Sequence, residues 1–248
     1  MTPESAPPPE PTEQGMGAFA RITGVFFEPG KTFQDIGRRP TFLVPLLVII
    51  AFTIGFTFLM GQHIGWENIA RQGMENSSRA AQMTPEQKAQ GIAMGAKIGA
   101  FMGYAMVVII PVMYAIMAAV LLGMTAMMSA GLRFKQVYAV VVYSGLPGIL
   151  YAILGCVVMF LKKPEDFNVN NPLMFNIGAY LDPQTTSKFL YSLATSMDLF
   201  TFWMIALVAI GLKAAAGKRL SSGGAFTAVV APWAVYVLAK SALAGLFS

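Results

Sequence analysis

Five long apolar segments dominate the pattern of the chain, and polar connections separate them. A helix that crosses the hydrocarbon core of a bilayer needs roughly 20 apolar residues, and each of these segments comes close to that length or exceeds it. The pattern therefore predicts five membrane-spanning helices, placed at residues 41–60, 98–130, 134–160, 198–216 and 225–247. The predicted fold class is an all-α, polytopic membrane protein with its membrane domain over residues 41–248.

The residues ahead of the first span fall into two parts. Residues 1–16 are rich in Pro, Glu, Ser and Thr and have no apolar period, which predicts a disordered tail. Residues 17–40 hold two short apolar patterns at helical spacing, separated by Pro29 and Gly30. We interpret this part as two short amphipathic helices in the membrane interface. The alternative is a cap that packs on the spans.

The second span follows a helix start that lies outside the membrane. Thr84, Pro85 and Gln87 have the arrangement of a capping box with proline at the first helical position. Four glycines at four-residue spacing then form a helix-packing ridge, and they are Gly91, Gly95, Gly99 and Gly103. Such a ridge could join two copies of the chain, but we favour packing within one chain. This longest span is the expected packing spine of the bundle.

Composition and charge agree with a membrane protein and indicate its orientation. Charged residues make up 12% of the chain, against about 25% in soluble domains. The net charge of +5 comes from basic residues at the ends of apolar segments, so it does not indicate nucleic-acid binding. Two short basic turns, at 131–135 and 213–219, predict a cytoplasmic N-terminus and a C-terminus outside.

Candidate reactive groups are few. His63 is the only histidine and has no second ligand at metal-binding spacing. A row of methionines in the second span could offer soft ligands to Cu(I), but no cysteine or histidine accompanies it, so we favour a packing role. Asp198 and Lys240 lie near span ends, where helix capping and snorkelling explain them. The sequence thus predicts no catalytic residue, metal or cofactor.

Three short motifs follow one another along the chain. They contain Pro29, Thr32 and Phe33, then Tyr143, Ser144 and Pro147, and finally Asp198, Trp203 and Gly211. In their order and spacing these motifs resemble the bacterial branch of the Yip (Ypt-interacting protein) family, which are small membrane proteins with five spans. The likeness extends over residues 19–240.

The resemblance implies a membrane protein without catalytic activity. Eukaryotic members bind Rab GTPases through their cytosolic N-terminal region, but this chain lacks their Asp-Leu-Tyr-Gly-Pro motif, so Rab binding is not carried over. We therefore predict a scaffold or membrane-organising module in a bacterial inner membrane. Its expected partners are the lipid bilayer and a membrane protein, with self-association left open. The alternative is a small-solute transporter or channel, because four spans contain proline and broken helices can line a cavity.

Overall fold

The computed structural model describes residues 15–75, 77–169, 171–183 and 185–246. Within these ranges the chain is helical and contains no strand. The tail predicted for residues 1–16 lies outside the described residues, except for Gly15 and Met16.

The described residues form ten α-helices, which are α1 (Ala18–Phe27), α2 (Pro29–Arg38), α3 (Leu43–His63), α4 (Trp66–Glu75), α5 (Pro85–Met127), α6 (Phe134–Ser144), α7 (Pro147–Leu161), α8 (Lys188–Ser196), α9 (Leu199–Ala216) and α10 (Ser222–Leu246). Short 3-10 helices lie in the connections, at Ser78–Gln82, Pro164–Asp166, Ile177–Tyr180 and Gly217–Arg219. Five helical segments are long and apolar enough to cross a membrane: α3, α5, α6 with α7, α9 and α10. The predicted all-α fold with five spans is confirmed.

Local hydrogen bonds explain where two of these helices begin. Thr84 Oγ1 accepts a hydrogen bond from the Gln87 N–H at 3.3 Å, and the Gln87 side chain accepts one from the Thr84 N–H at 2.9 Å. This confirms the predicted capping box and starts α5 at Pro85. Ser221 Oγ likewise accepts from the Gly224 N–H at 2.9 Å, and α10 starts at Ser222, ahead of the predicted residue 225.

The third span, predicted as residues 134–160, consists of two helices with a break between them. Proline has no N–H to continue the helical ladder, and its ring conflicts with the carbonyl four residues earlier. α6 therefore ends at Ser144, and α7 begins at Pro147. The Gly145 N–H bonds to the carbonyls of Val141 and Val142, both at 3.1 Å, which closes the last turn of α6.

The centre of the bundle is α9, not α5. In the apolar part of α9, 44% of the residues are buried inside the protein, whereas in α5 the share is 11%. The largest core cluster contains many residues of α6 and α9, and only the second half of α5, from Ile110 onward, contributes to it. Most of α5 instead presents apolar side chains outward, as a lipid-facing helix does. The longest apolar segment packs against α3, α4, α6 and α10, but it is less buried than α9, which takes the central position expected for α5.

Helices α1 and α2 pack on the bundle. Val25, Phe33 and Ile36 are fully buried in the same core as α6 and α9. The interfacial interpretation placed the aromatic rings of this segment in the acyl boundary, and for Phe33 the structure corrects it. Phe19 and Phe27, by contrast, are 81% and 84% exposed. The segment therefore has one apolar face against the protein and two aromatic rings directed away from it.

Candidate functional site

The first and third sequence motifs meet where α2 crosses α9, and α6 packs beside both helices. Phe33 of α2 and Val140 of α6 both pack against Gly211 of α9. A methyl group at position 211 would overlap Val140 Cγ1 and would lie 3.0 Å from Phe33 Cδ1. One turn further along α9, a methyl group at Gly37 of α2 would lie 2.8 Å from the Cα of Ala215. The two glycines thus allow α2 to approach α9 closely.

Three hydroxyl groups from these motifs are buried without a hydrogen-bond partner in the described part of the chain. They belong to Thr32, Tyr143 and Ser144. Thr32 Oγ1 lies so close to Gly24 of α1 that a side chain at position 24 would overlap it. A buried polar group without a partner costs roughly 1–3 kcal/mol. Packing alone therefore does not explain the hydroxyls at these three positions.

The third motif forms the start of α9. Asp198 Oδ1 accepts hydrogen bonds from the N–H groups of Phe200 and Thr201 at 2.9 and 3.1 Å, so the carboxylate caps this helix as predicted. The Trp203 ring packs edge-on against Phe26 of α1, with 5.8 Å between ring centroids. Pro29, from the first motif, occupies the first position of α2, where its missing N–H costs nothing.

A buried ion pair joins α1 to α2. Arg21 Nε donates to Asp35 Oδ2 at 2.7 Å, and both side chains are largely buried. The same guanidinium donates to the Arg39 carbonyl at 3.0 Å and to Thr41 Oγ1 at 2.7 Å. Arg21 therefore connects α1, α2 and the segment that leads into α3. The role of Arg21 could not be predicted, because nothing in a sequence shows that an arginine is buried.

Gln136 joins the end of α2 to the start of α6. Its Nε2 donates to the Gly37 carbonyl at 2.8 Å, and its Oε1 accepts from the Arg133 N–H at 2.9 Å. The sequence analysis did not identify this residue. Its position three residues after Arg133 is compatible with a capping role, but that signal does not reveal the contact with α2.

A cavity of about 870 Å³ lies beside this junction, among α2, α6, α9 and α10. Its polar residues include Gln34, Arg38, Arg133, Gln136 and Lys213, and its apolar residues include Ala206, Ala209, Ile210 and Phe226. No Asp or Glu of the described ranges lines it. Arg133 and Lys213 belong to the two basic turns predicted for the inner side, but spacing along the chain did not show that they share one cavity with Arg38. We call this end of the molecule, with Arg38, Arg133, Lys213, Lys218 and Arg219, the basic end.

The proline break in the third span is filled with protein. Leu146 is fully buried, and the Tyr114 hydroxyl of α5 lies where a side chain at Gly145 would have to be. Pro147 is also buried. A second cavity, of about 710 Å³, is an apolar groove between α3 and α7 and includes Cys156. Neither cavity is lined by Pro147 or Pro232.

The glycine ridge of α5 faces other helices of the same chain. The nearest neighbours of Gly91, Gly95, Gly99 and Gly103 are side chains of Met74, Ala70, Trp66 and Thr57, which belong to α3 and α4. Three of the methionines on α5, Met102, Met113 and Met117, are about half exposed, and the packing role of the methionines stays a prediction. The His63 ring contacts Phe160, with 4.6 Å between ring centroids. Among the described residues there is no group of three His, Cys, Asp or Glu side chains that could hold a metal ion.

These features define an integral membrane protein of five helical spans, in which the motif residues pack helices together and cap them. The family model of the Yip1 domain matches residues 23–243, and the chain therefore belongs to the Yip1 domain family. This family consists of membrane proteins and is not known for catalysis. Comparison with curated proteins found no match, and comparison with solved structures also found none. The predicted Yip resemblance is confirmed, while its bacterial branch stays a prediction.

Proposed function

We propose that this Yip1-domain protein is a non-catalytic scaffold of a bacterial inner membrane, which presents α1 and α2 as a rigid unit on the cytoplasmic side. The observation that carries the proposal is the use of the motif residues. Phe33 and Gly211 pack against each other beside Val140 of α6, and they attach α2 to the central helices instead of lining a cavity. A docking unit that is already ordered binds a partner at a lower entropic cost than a flexible one.

The surface of this unit supports the same function. Phe19 and Phe27 are more than four-fifths exposed, although they flank residues that are fully buried. Phenylalanine is among the residues enriched at the buried centres of protein–protein interfaces. The proposed partners are therefore the lipid bilayer and a membrane protein that contacts α1, and a second copy of this chain is one form of that protein.

The alternative function, a transporter built from proline-broken spans, has less support. A transport pathway requires the broken helix to line a cavity. Here the side chains of Leu146 and Tyr114 occupy the space at the break, and Pro147 is buried. The filled break supports the scaffold over the transporter.

Site-specific photo-crosslinking in native membranes tests the scaffold. A photoreactive side chain replaces Phe27 at the end of α1, and a matched control replaces Tyr180 in the connection before α8. Phe27 is 84% exposed and Tyr180 is 74% exposed, so both positions can reach a neighbour. We expect a discrete protein adduct at Phe27 and none at Tyr180. An adduct of twice the mass of the chain would identify the partner as a second copy.

Reconstitution into liposomes completes the test. The scaffold predicts that the purified protein leaves liposomes tight to small solutes. Lipid adducts alone at Phe27, together with solute flux that a Pro147→Ala substitution changes, would contradict the scaffold and favour the transporter.

A further inference from the structure

We propose that the cavity at the basic end binds one anionic phospholipid, with the phosphate at Arg133 and Lys213 and one acyl chain along α9. This inference does not depend on the scaffold function. It rests on the order of polar and apolar groups along the cavity, on the charge of its polar part and on its size.

The polar part of the cavity is suited to an anion. Arg133 and Lys213 line it together with Gln34 and Gln136, whose side chains can also donate hydrogen bonds. Lys213 Nζ donates to the Gly217 carbonyl at 2.6 Å, which positions its ammonium group at the end of α9. α10 starts at Ser222 in the same lining, and the N–H groups at a helix start favour a phosphate.

The nearest carboxylates do not oppose an anion here. Asp35 follows Gln34 in the chain, but its charge is balanced by Arg21 at 2.7 Å. Glu28 is paired with Lys31 at 3.5 Å. No acidic residue of the described ranges lines the cavity itself. Lys218 and Arg219 add positive charge on the next turn of the chain, and the Arg219 guanidinium contacts the loop at Gly131.

The apolar part of the cavity is suited to an acyl chain. Phe202, Ala206 and Ile210 are exposed at four-residue spacing, so they form one stripe along α9. Lys213 lies at the end of this stripe, and Phe226 of α10 forms the opposite wall. Along α9 the surface thus changes from apolar to cationic in the same order in which a phospholipid changes from acyl chain to phosphate.

The volume also favours a lipid over a free phosphate ion. A cavity of about 870 Å³ is near the upper end of ordinary ligand pockets, which measure roughly 300–1,000 Å³. A phosphate ion would fill only a small part of it and would leave the apolar wall without a contact. A membrane places phospholipids at this depth at high local concentration.

Native mass spectrometry of the full chain in mild detergent tests the charge. The protein is titrated with phosphatidylglycerol, with phosphatidylcholine and with inorganic phosphate. The Arg133→Gln/Lys213→Gln variant should bind phosphatidylglycerol roughly 10- to 30-fold more weakly, since two cations near a headgroup are lost. Lys162→Gln/Lys163→Gln removes the same charge at the exposed end of α7, away from the cavity, and should leave the affinity unchanged.

A second pair of variants tests the path of the acyl chain. It also tests the lipid site if the charge variant does not fold. Ala206→Phe fills the apolar stripe, and Ala239→Phe places the same ring at an exposed position of α10 outside the cavity. We expect weaker phosphatidylglycerol binding in Ala206→Phe alone. Equal binding of phosphatidylcholine, or equal effects within either pair of variants, would overturn the site. Displacement of the lipid by inorganic phosphate at similar concentration would overturn the lipid and indicate a free-anion site.

Discussion

Gly211 lets α9 pack closely against α2 and α6. A larger side chain at this position would push these helices apart. A methyl group there would overlap Val140 and would lie 3.0 Å from Phe33 Cδ1, and both of these neighbours are fully buried. Overpacking a tight core costs roughly 1–3 kcal/mol. We therefore expect Gly211→Ala to lower the Tm of the detergent-solubilised protein by several degrees.

Gly123 provides the matched control for this substitution. It lies on α5 with no atom within 4 Å of an added methyl group. Alanine favours a helix by up to about 1 kcal/mol over glycine, so Gly123→Ala should leave the Tm unchanged or raise it. Equal Tm values for the two variants would show that the junction of α2, α6 and α9 is not tightly packed.

The tyrosine hydroxyls of α6 offer a second comparison at this scale. Tyr143 has a buried hydroxyl without a partner in the described part of the chain, whereas the Tyr138 hydroxyl donates to the Pro111 carbonyl at 3.4 Å. Tyr143→Phe removes a desolvated group and should be neutral or stabilising. Tyr138→Phe removes a hydrogen bond and should cost roughly 0.5–1.5 kcal/mol. The measurement is the free energy of unfolding in SDS titrations, and a large loss for Tyr143→Phe would contradict the assignment.

At the scale of single residues, interactions between close neighbours in the chain could be predicted, and contacts between distant residues could not. The capping roles of Thr84, Gln87 and Asp198 could be predicted, because capping depends on neighbours a few residues away. The contacts of Gly211 and Gln136 could not, since their partners lie more than 70 residues away in the chain.

Among the secondary-structure elements, the α1–α2 pair depends most on one interaction. Arg21 is buried and bonded to Asp35, so Asp35→Ala would leave a buried guanidinium without its counter-charge. Breaking a buried ion pair on one side costs roughly 3–5 kcal/mol. We expect α1 to detach from α2 in this variant, which limited proteolysis between residues 15 and 40 would detect together with a lower Tm.

The control for this prediction is the exposed ion pair of the same helices. Glu28 and Lys31 lie 3.5 Å apart, with 64% and 75% of their side chains exposed. Exposed pairs contribute less than about 1 kcal/mol to stability. We therefore expect α1 to be as resistant to protease in Glu28→Ala as in the unchanged protein. Similar cleavage of both variants would mean that net charge, not the buried contact, holds the two helices together.

The existence of the helices could be predicted, but their arrangement could not. Apolar length gives five spans, and the amphipathic pattern gives α1 and α2. Neither feature shows which helix becomes the centre. The small residues of α9 let α2 and α6 approach it, while α5 keeps most of its apolar face toward the membrane. The apolar face of α2 likewise predicted a contact with lipid. In the structure, other helices of the bundle cover this face.

For the whole molecule, the distribution of charge connects fold and function. Basic residues from three separate parts of the chain meet at one end, where α2 and α9 finish and α6 and α10 start. This arrangement supports the predicted cytoplasmic position of that end, because cytoplasmic segments carry an excess of Lys and Arg. The proposed lipid site lies there, and α2 of the proposed scaffold ends there.

Cysteine labelling tests this orientation directly. With Cys156 replaced by serine, single cysteines are introduced at Ser221, at Gln82 and at Lys162, which are all exposed. Ser221 lies at the basic end, and the other two lie beyond the opposite ends of α5 and α7. We expect a membrane-impermeant maleimide, added to intact cells, to label Gln82→Cys and Lys162→Cys but to label Ser221→Cys only after the membrane is opened. The reverse pattern would place the basic end outside. The phosphate of the proposed lipid and the α1–α2 unit would then face the outer side, and the scaffold would have to act there.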